Sequence, residues 1–382
     1  MNACLLLTVA VAGRRVTTVE DLADGRRVHP VQQPRGGFDR VAQSDLSVAT
    51  PIAPTASEVI CCHSTERMAM ARHNDWTFGG LWPYQPRWFD TPAGRLHYVD
   101  EGPRDGRPVV LVHGNPAWGF LYRAFIGPLT AAGHRVIVPD HLGFGRSDKP
   151  TDPDVYRVPE HARRFDALLE SLDLTGAVVV PNDWGGPIGL AWAVARPERV
   201  AGLFVLNSFA HRPPDKMRLP LPVRLFRTPG VGEVMVKGLG LFHRAFLFRA
   251  GVVHRERLTA DVRRAYLAPH PTWSSRTGVL VFPREIPTSP RGPVAEMTAQ
   301  IEQGMERHFR DLPVRIVWAM RDVAFTPQML DGMWLRTFPN AEVTRIDDAG
   351  HYLQEDAHER IVPELLRFLT ALPKRAVADG SA

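Results

Sequence analysis

The chain has 382 residues, 44% of them hydrophobic and 23% charged, with a formal net charge of +5. These values describe a globular protein with enough apolar residues for a sizeable core and exclude a collagen-like or disordered chain. The surplus charge comes from scattered arginines rather than a basic run interleaved with aromatics, so no nucleic-acid partner is expected.

Cys4, Cys61 and Cys62 all fall in the first sixth of the chain. The main body therefore has no thiols for a disulfide framework or a four-cysteine zinc site. The opening MNACLLLTVAVAG has a short apolar run but no basic start, and it is far below the length that spans a bilayer. No other stretch approaches a membrane span, and a cytoplasmic protein is the expectation. From Gly13 to about Thr77 the sequence is polar and aperiodic, so residues 1–80 are expected to form a poorly structured extension that the rest can lose.

Regular patterning begins near Tyr84. Arg95 to Asp100 alternates like a strand, and Val109 to His113 and His134 to Asp140 are apolar runs of buried-strand length, with helical spacing from Leu121 to Ala132 between them. A helix from about Pro159 to Leu172 follows, then a strand Ala177–Pro181, a helix Pro187–Arg196 and a strand Ala201–Asn207. Strands alternating with helices over this length predict an α/β fold with a mostly parallel sheet covered by helices on both faces. From about Phe209 the rhythm breaks into Pro-, Arg-, Phe- and Leu-rich helical segments, including Gly232–Phe248 and Arg257–Tyr266, which reads as a helical insertion. It returns with strands Val314–Met320 and Ala341–Asp347 and a helix from about Gln354 to Leu369. The expected organisation is thus core at 81–208, helical cap at 209–292, core again at 293–373 and a flexible tail at 374–382.

The informative stretch is Val178-Val-Val-Pro-Asn-Asp-Trp-Gly-Gly-Pro. A strand enters a tight turn and then a helix, which is the setting of a nucleophile elbow, with Asp183 at the nucleophile position. The unpaired N–H groups of the helix start favour a carboxylate there, although an N-cap role for Asp183 accounts for the same residue. His113-Gly-Asn-Pro-Ala-Trp follows the strand from Val109, where an oxyanion loop belongs. Asp347-Asp-Ala-Gly-His351 follows the last strand, where the base belongs. Asp183, Asp322 and His351 occur in the chain order of nucleophile, acid and base. Trp184 reads either as a core aromatic or as an anion donor, and Asn115 as a turn residue or a donor. His134, His141 and His161 have no metal-ligand spacing, and neither metal nor organic cofactor is expected. Trp118, Phe144 and Phe282 are either pocket walls or core.

From about Tyr84 to Leu369 the chain resembles the haloalkane dehalogenases of the α/β-hydrolase fold. YQPRWFDTPAGRLHYVDEG, LVHGNPAWGFLYR, VIVPDHLGFGRSDKP, NDWGGPIGL, FPREIP, RDVAFTP and DAGHYLQED carry the likeness in order. The β-lactone decarboxylases of olefin biosynthesis share HGNP and DWGG, and DVRRAYLAP is similar to that group. The resemblance implies Asp183 as nucleophile, His351 as base, Asp322 as its orienting acid, Asn115 and Trp184 as halide or oxyanion donors, and a small apolar substrate. Pro181 and Asn182 depart from the family, which usually has a small residue and Gln or His there. An epoxide hydrolase is a further alternative, but only Tyr266 is available in the insertion and Asn115 replaces the usual loop residue. A non-catalytic binding protein on the same fold is the reading from another class. Residues 4–33, CLLLTVAVAGRRVTTVEDLADGRRVHPVQQ, resemble a fragment of the iron–sulfur subunits of molybdenum hydroxylases, but the cluster-binding cysteines are absent and no function follows.

Overall fold

The computed structural model describes residues 75–373. Eight strands form one sheet: β1 (Arg87–Phe89), β2 (Leu96–Glu101), β3 (Pro108–Val112), β4 (Arg135–Pro139), β5 (Ala177–Asp183), β6 (Val200–Ser208), β7 (Val314–Ala319) and β8 (Glu342–Ile346). Their order is β1-β2-β4-β3-β5-β6-β7-β8. The β1–β2 and β2–β4 pairs are antiparallel, and every pair from β4–β3 onward is parallel. β3, β4 and β5 are buried along their whole length, which is why they read as continuous apolar runs rather than as alternating ones.

The helices that cover the sheet include α1 (Arg123–Ala131), α2 (Val158–Ser171) and α3 (Gly185–Ala195). α3 is apolar nearly all round because it lies between neighbours: α2 packs on one side and a helix after the insertion on the other. The insertion between β6 and β7 carries α4 (Leu221–Arg227), α5 (Ala260–Leu267) and α6 (Thr277–Glu285), joined by two wide-turn segments, Glu233–Gly238 and Phe242–Ala250. α7 (Pro293–His308) and α8 (Leu353–Ala371) complete the layers.

Most expected elements fall within two residues of their sequence positions. α7 and the short edge strand β1 have no counterpart in the sequence reading, and Gly232–Phe248 divides into two segments. Phe78, inside the expected 1–80 extension, is buried and meets Trp118 and Phe120 edge-on, and Trp82 just after it packs edge-on against Trp118 and tilted against Phe120. The remainder of the 1–80 extension, the iron–sulfur-like fragment and the tail at 374–382 lie outside the described residues, apart from a few residues before Leu81. No helix of the described residues is long and apolar enough to cross a membrane.

Candidate active site

β5 delivers Asp183 to the carboxyl edge of the sheet in a left-handed backbone conformation, with φ +53°. That geometry is costly for a residue with a side chain and is characteristic of a position held by its surroundings. The turn beyond it needs glycine. A Cβ on Gly185 would lie 2.1 Å from the Val112 carbonyl oxygen, so no larger residue fits where α3 departs. Behind the elbow, the Ser208 hydroxyl donates to the Asp183 carbonyl at 2.6 Å. The Trp334 indole donates in turn to the Ser208 carbonyl at 2.8 Å. These bonds tie the turn to β6 and to the helical stretch after β7.

The loop after β3 meets the elbow. The Asn115 backbone N–H donates to Asp183 Oδ1 at 2.7 Å, and the Trp184 N–H also donates to this carboxylate. The Tyr352 hydroxyl holds the Asn115 carbonyl at 3.1 Å, so the residue next to His351 orients the donor peptide. His351 Nε2 lies 3.6 Å from Asp183 Oδ2, while its Nδ1 is 2.9 Å from Asp322 Oδ2. Asp322 is held by the N–H groups of Ala324 and Phe325 on Oδ1 and by the Asn207 amide on Oδ2 at 2.9 Å. Asn207 is fixed because its own Oδ1 accepts the Ala319 N–H at 2.7 Å. The three predicted residues, distant in sequence, are therefore brought into one line, in which Asp322 is hydrogen-bonded to His351 and the other ring nitrogen faces Asp183 at 3.6 Å without a hydrogen bond.

Burial pushes the Asp183 carboxyl up to about 6, against the opposing pull of His351 and the two N–H donors. Burial alone would lower His351, but the Asp322 carboxylate, its hydrogen bond and Asp183 outweigh it and hold the imidazole above its ordinary value.

Asp183, Asn115 and Trp184 open onto a cavity of about 440 Å3. Its walls are mainly Phe209, Phe226, Phe242, Phe246 and Phe325, with Met217, Met329 and Met333 toward one side. Trp118, Phe144 and Phe282 are not among these lining residues; each is fully buried, so they are core. Asn115 Nδ2 donates to the Val279 carbonyl at 3.3 Å, whereas no acceptor within the described residues pairs with the Trp184 indole. Tyr266 is buried away from the cavity, its hydroxyl donating to Glu355. His113 and His141 bond to each other's backbone behind the loop. A wider groove of about 1110 Å3, lined in part by Arg315, Glu342 and Glu364, sits at the opposite ends of β7 and β8.

Sequence reasoning did not single out Asn207, Ser208 or Tyr352 as supports of the site. For Asn207 a signal existed: it stands at the end of β6, beside the acid's strand. Asn182 was noted only as a departure. Its amide bridges Leu206, Asn207 and His351 carbonyls at 3.0 to 3.5 Å, which joins β5 to the loop that carries His351.

An α/β hydrolase fold model matches residues 107–358, about two thirds of the chain. The chain belongs to this family. It is 37% identical to a cis-3-alkyl-4-alkyloxetan-2-one decarboxylase of Xanthomonas campestris, over 76% of this chain and 97% of that protein. It is 34% identical to haloalkane dehalogenase 2 of Mycobacterium tuberculosis, over 75% of this chain and 95% of the relative. Among solved structures, haloalkane dehalogenase DbeA of Bradyrhizobium elkani superposes with a TM-score of 0.68 at 26% identity, covering 75% of this chain and 97% of that one. The α/β-hydrolase is thus similar to both groups named by its motifs.

Proposed function

We propose that this α/β-hydrolase is a haloalkane dehalogenase-type enzyme in which Asp183 is the nucleophile. The observation that carries this reading is the convergence of Asp183 with His351 and Asp322 at the floor of an apolar cavity.

The chemistry follows from the geometry. Asp183 Oδ2 attacks an alkyl carbon, and the halide departs with the bonding pair toward the free indole N–H of Trp184. A serine would leave a stable ether at such a carbon, whereas a carboxylate leaves an ester that water can cleave. His351 Nε2 takes a proton from that water while Asp322 supports the imidazolium, and attack at the Asp183 carbonyl carbon places negative charge on Oδ1. The Asn115 N–H already points at that oxygen, the Trp184 N–H donates to the same carboxylate, and together they hold the oxyanion. Collapse breaks the bond to the alkyl oxygen, His351 returns its proton to that oxygen so that the alcohol leaves, and the Asp183 carboxyl gives up its remaining proton to solvent. Asn115 serves through its backbone, and its side-chain amide contributes a second anion donor with the proton not given to Val279.

A second reading is β-lactone decarboxylation, and the size of the cavity favours it. At about 30 Å3 per water-sized group, 440 Å3 holds on the order of fifteen such groups, more than a short haloalkane fills. Attack of Asp183 on the ring carbon bearing oxygen would open a four-membered lactone to a carboxylate. Loss of CO2 would then expel Asp183 and leave an alkene without any water step. The epoxide hydrolase alternative loses support, because Tyr266 points its hydroxyl at Glu355 rather than into the cavity.

The test is intact-mass analysis of His351→Gln after incubation with a bromoalkane. The ester should accumulate, and a peptide map should place it on Asp183; Asp183→Asn should gain no mass. Absence of the adduct in a variant of an active wild type, or its presence elsewhere, overturns the assignment. If wild type releases no halide but converts a β-lactone, the second reading replaces the first.

A further inference from the structure

The cavity reaches solvent through residues that are themselves exposed. Met217 is 37% accessible and Val323 57%, and both line it. Around this mouth the insertion shows more apolar side chains to water. Leu221 is 63% exposed and Leu225 lies one turn later on the same face of α4. Val234, also exposed, belongs to the Glu233–Gly238 segment that packs beside α4, and exposed Val231 lies just before it. Single exposed aliphatic residues need no explanation, but six at one end of the cavity do.

The unpaired charges in the same stretch are mostly positive. Lys216, Arg218 and Arg224 alternate with Met217, Leu221 and Leu225, are exposed, and enter no ion pair among the described residues. Of the two acidic side chains between 212 and 250, Glu233 is engaged by Arg284, which leaves Asp215 alone. Apolar residues set among free cations form a surface suited to a phase that is apolar inside and anionic at its boundary. A second copy meeting this face across a two-fold axis would place like charges against one another.

We propose that residues 216–234 dock this chain on an anionic lipid surface, so that the mouth of the cavity opens into the bilayer and an apolar substrate enters without crossing water. The proposal rests on the reading that the cavity takes an apolar substrate. The docking itself is measured without one.

Flotation of the full chain with vesicles tests it. Binding to vesicles containing phosphatidylglycerol should be about tenfold or more tighter than to pure phosphatidylcholine, and should fade as salt rises from about 0.1 M toward 1 M, where the screening length falls from about 10 Å to about 3 Å. Leu221→Asp with Leu225→Asp, neither of which lines the cavity, should lose the binding by a similar factor while keeping the wild-type melting temperature and turnover of a short, water-soluble bromoalkane or β-lactone. No binding by wild type, or equal binding by the double variant, overturns the proposal. So does a wild-type dimer that Leu221→Asp disperses, which would assign the face to a second copy, or capture only by a protein partner. If neither substrate is turned over but vesicle binding follows the pattern above, the chemistry fails and the docking stands.

Discussion

Asp183 carries most of what a single residue decides here, and its protonation has consequences for both rate and stability. Its value in the folded chain is about 6, above the ordinary 3.8. For a group raised on folding, the stabilising contribution is complete below the unfolded value and disappears as pH rises through the folded one. Above pH 6, therefore, the buried carboxylate weakens the fold, by at most about 3 kcal/mol for a shift of this size. Asp183→Asn should melt above wild type at pH 8 and converge with it below pH 4; calorimetry across that range checks the sign. His351 is also raised, so its contribution is likewise lost on the alkaline side. Activity follows the reverse course. On the proposed mechanism, alkylation needs the Asp183 anion and should fall as pH drops through about 6, while hydrolysis needs neutral His351 and should rise at a pH above its ordinary value. Pre-steady-state halide bursts and steady-state turnover should separate the two limbs. Trp184→Phe should lower halide release on the order of 10²-fold with little change in melting temperature. An unaltered rate would return Trp184 to packing alone.

At the scale of elements, the strand–turn–helix unit works because its backbones approach closer than a methyl group allows. Gly185→Ala would set its Cβ at 2.1 Å from the Val112 carbonyl, forcing β3 and α3 apart. Overpacking of this kind typically costs about 1–3 kcal/mol, and here it also displaces Asp183 from its donors. Thermal unfolding and ester formation should therefore fall together. Gly114→Ala separates the two effects, since its Cβ would lie 2.1 Å from Asp183 Oδ1 and strikes the nucleophile rather than a strand. Its expected signature is a large loss of alkylation with a smaller change in melting temperature. Pro181 is accommodated in β5 opposite Val112, and the Tyr122 hydroxyl donates to the Val112 and Val180 carbonyls at 3.0 and 3.2 Å. Pro181 brings no strand N–H, and the Tyr122 hydroxyl supplies a donor beside it.

For the whole molecule, the packed unit begins before the expected boundary. We expect a chain starting at Asp75 to keep the wild-type melting temperature. One starting at Tyr84 removes Phe78 and Trp82 from the aromatic cluster on Trp118, and each fully buried side chain of this size is worth about 1.5–3 kcal/mol. Comparing the two melting curves and soluble yields locates the boundary. Equal curves would mean the cluster adds nothing, and a loss already at Asp75 would mean that residues before it pack.

Chain order and local pattern alone determined the strands, the strand–turn–helix at Asp183, the loop after β3 and the place of His351 after β8, because each is written in a short run: a buried apolar strand, DWGG, HGNP, DAGH. The positions of Asp183 and His351 were legible for the same reason, whereas Asp322, Asn115 and Trp184 were singled out by the resemblance to the dehalogenases. The tertiary structure alone decided what holds them. Asn207 clamps Asp322, Tyr352 fixes the Asn115 peptide and Ser208 braces the elbow through hydrogen bonds between segments up to 237 residues apart, which no local period encodes. It also sorted the aromatics, placing Trp118, Phe144 and Phe282 in the core and Phe226, Phe242 and Phe246 around the cavity. Hydrophobicity says only that a side chain leaves water. Whether it does so against other side chains or against a substrate depends on how the insertion folds over the sheet.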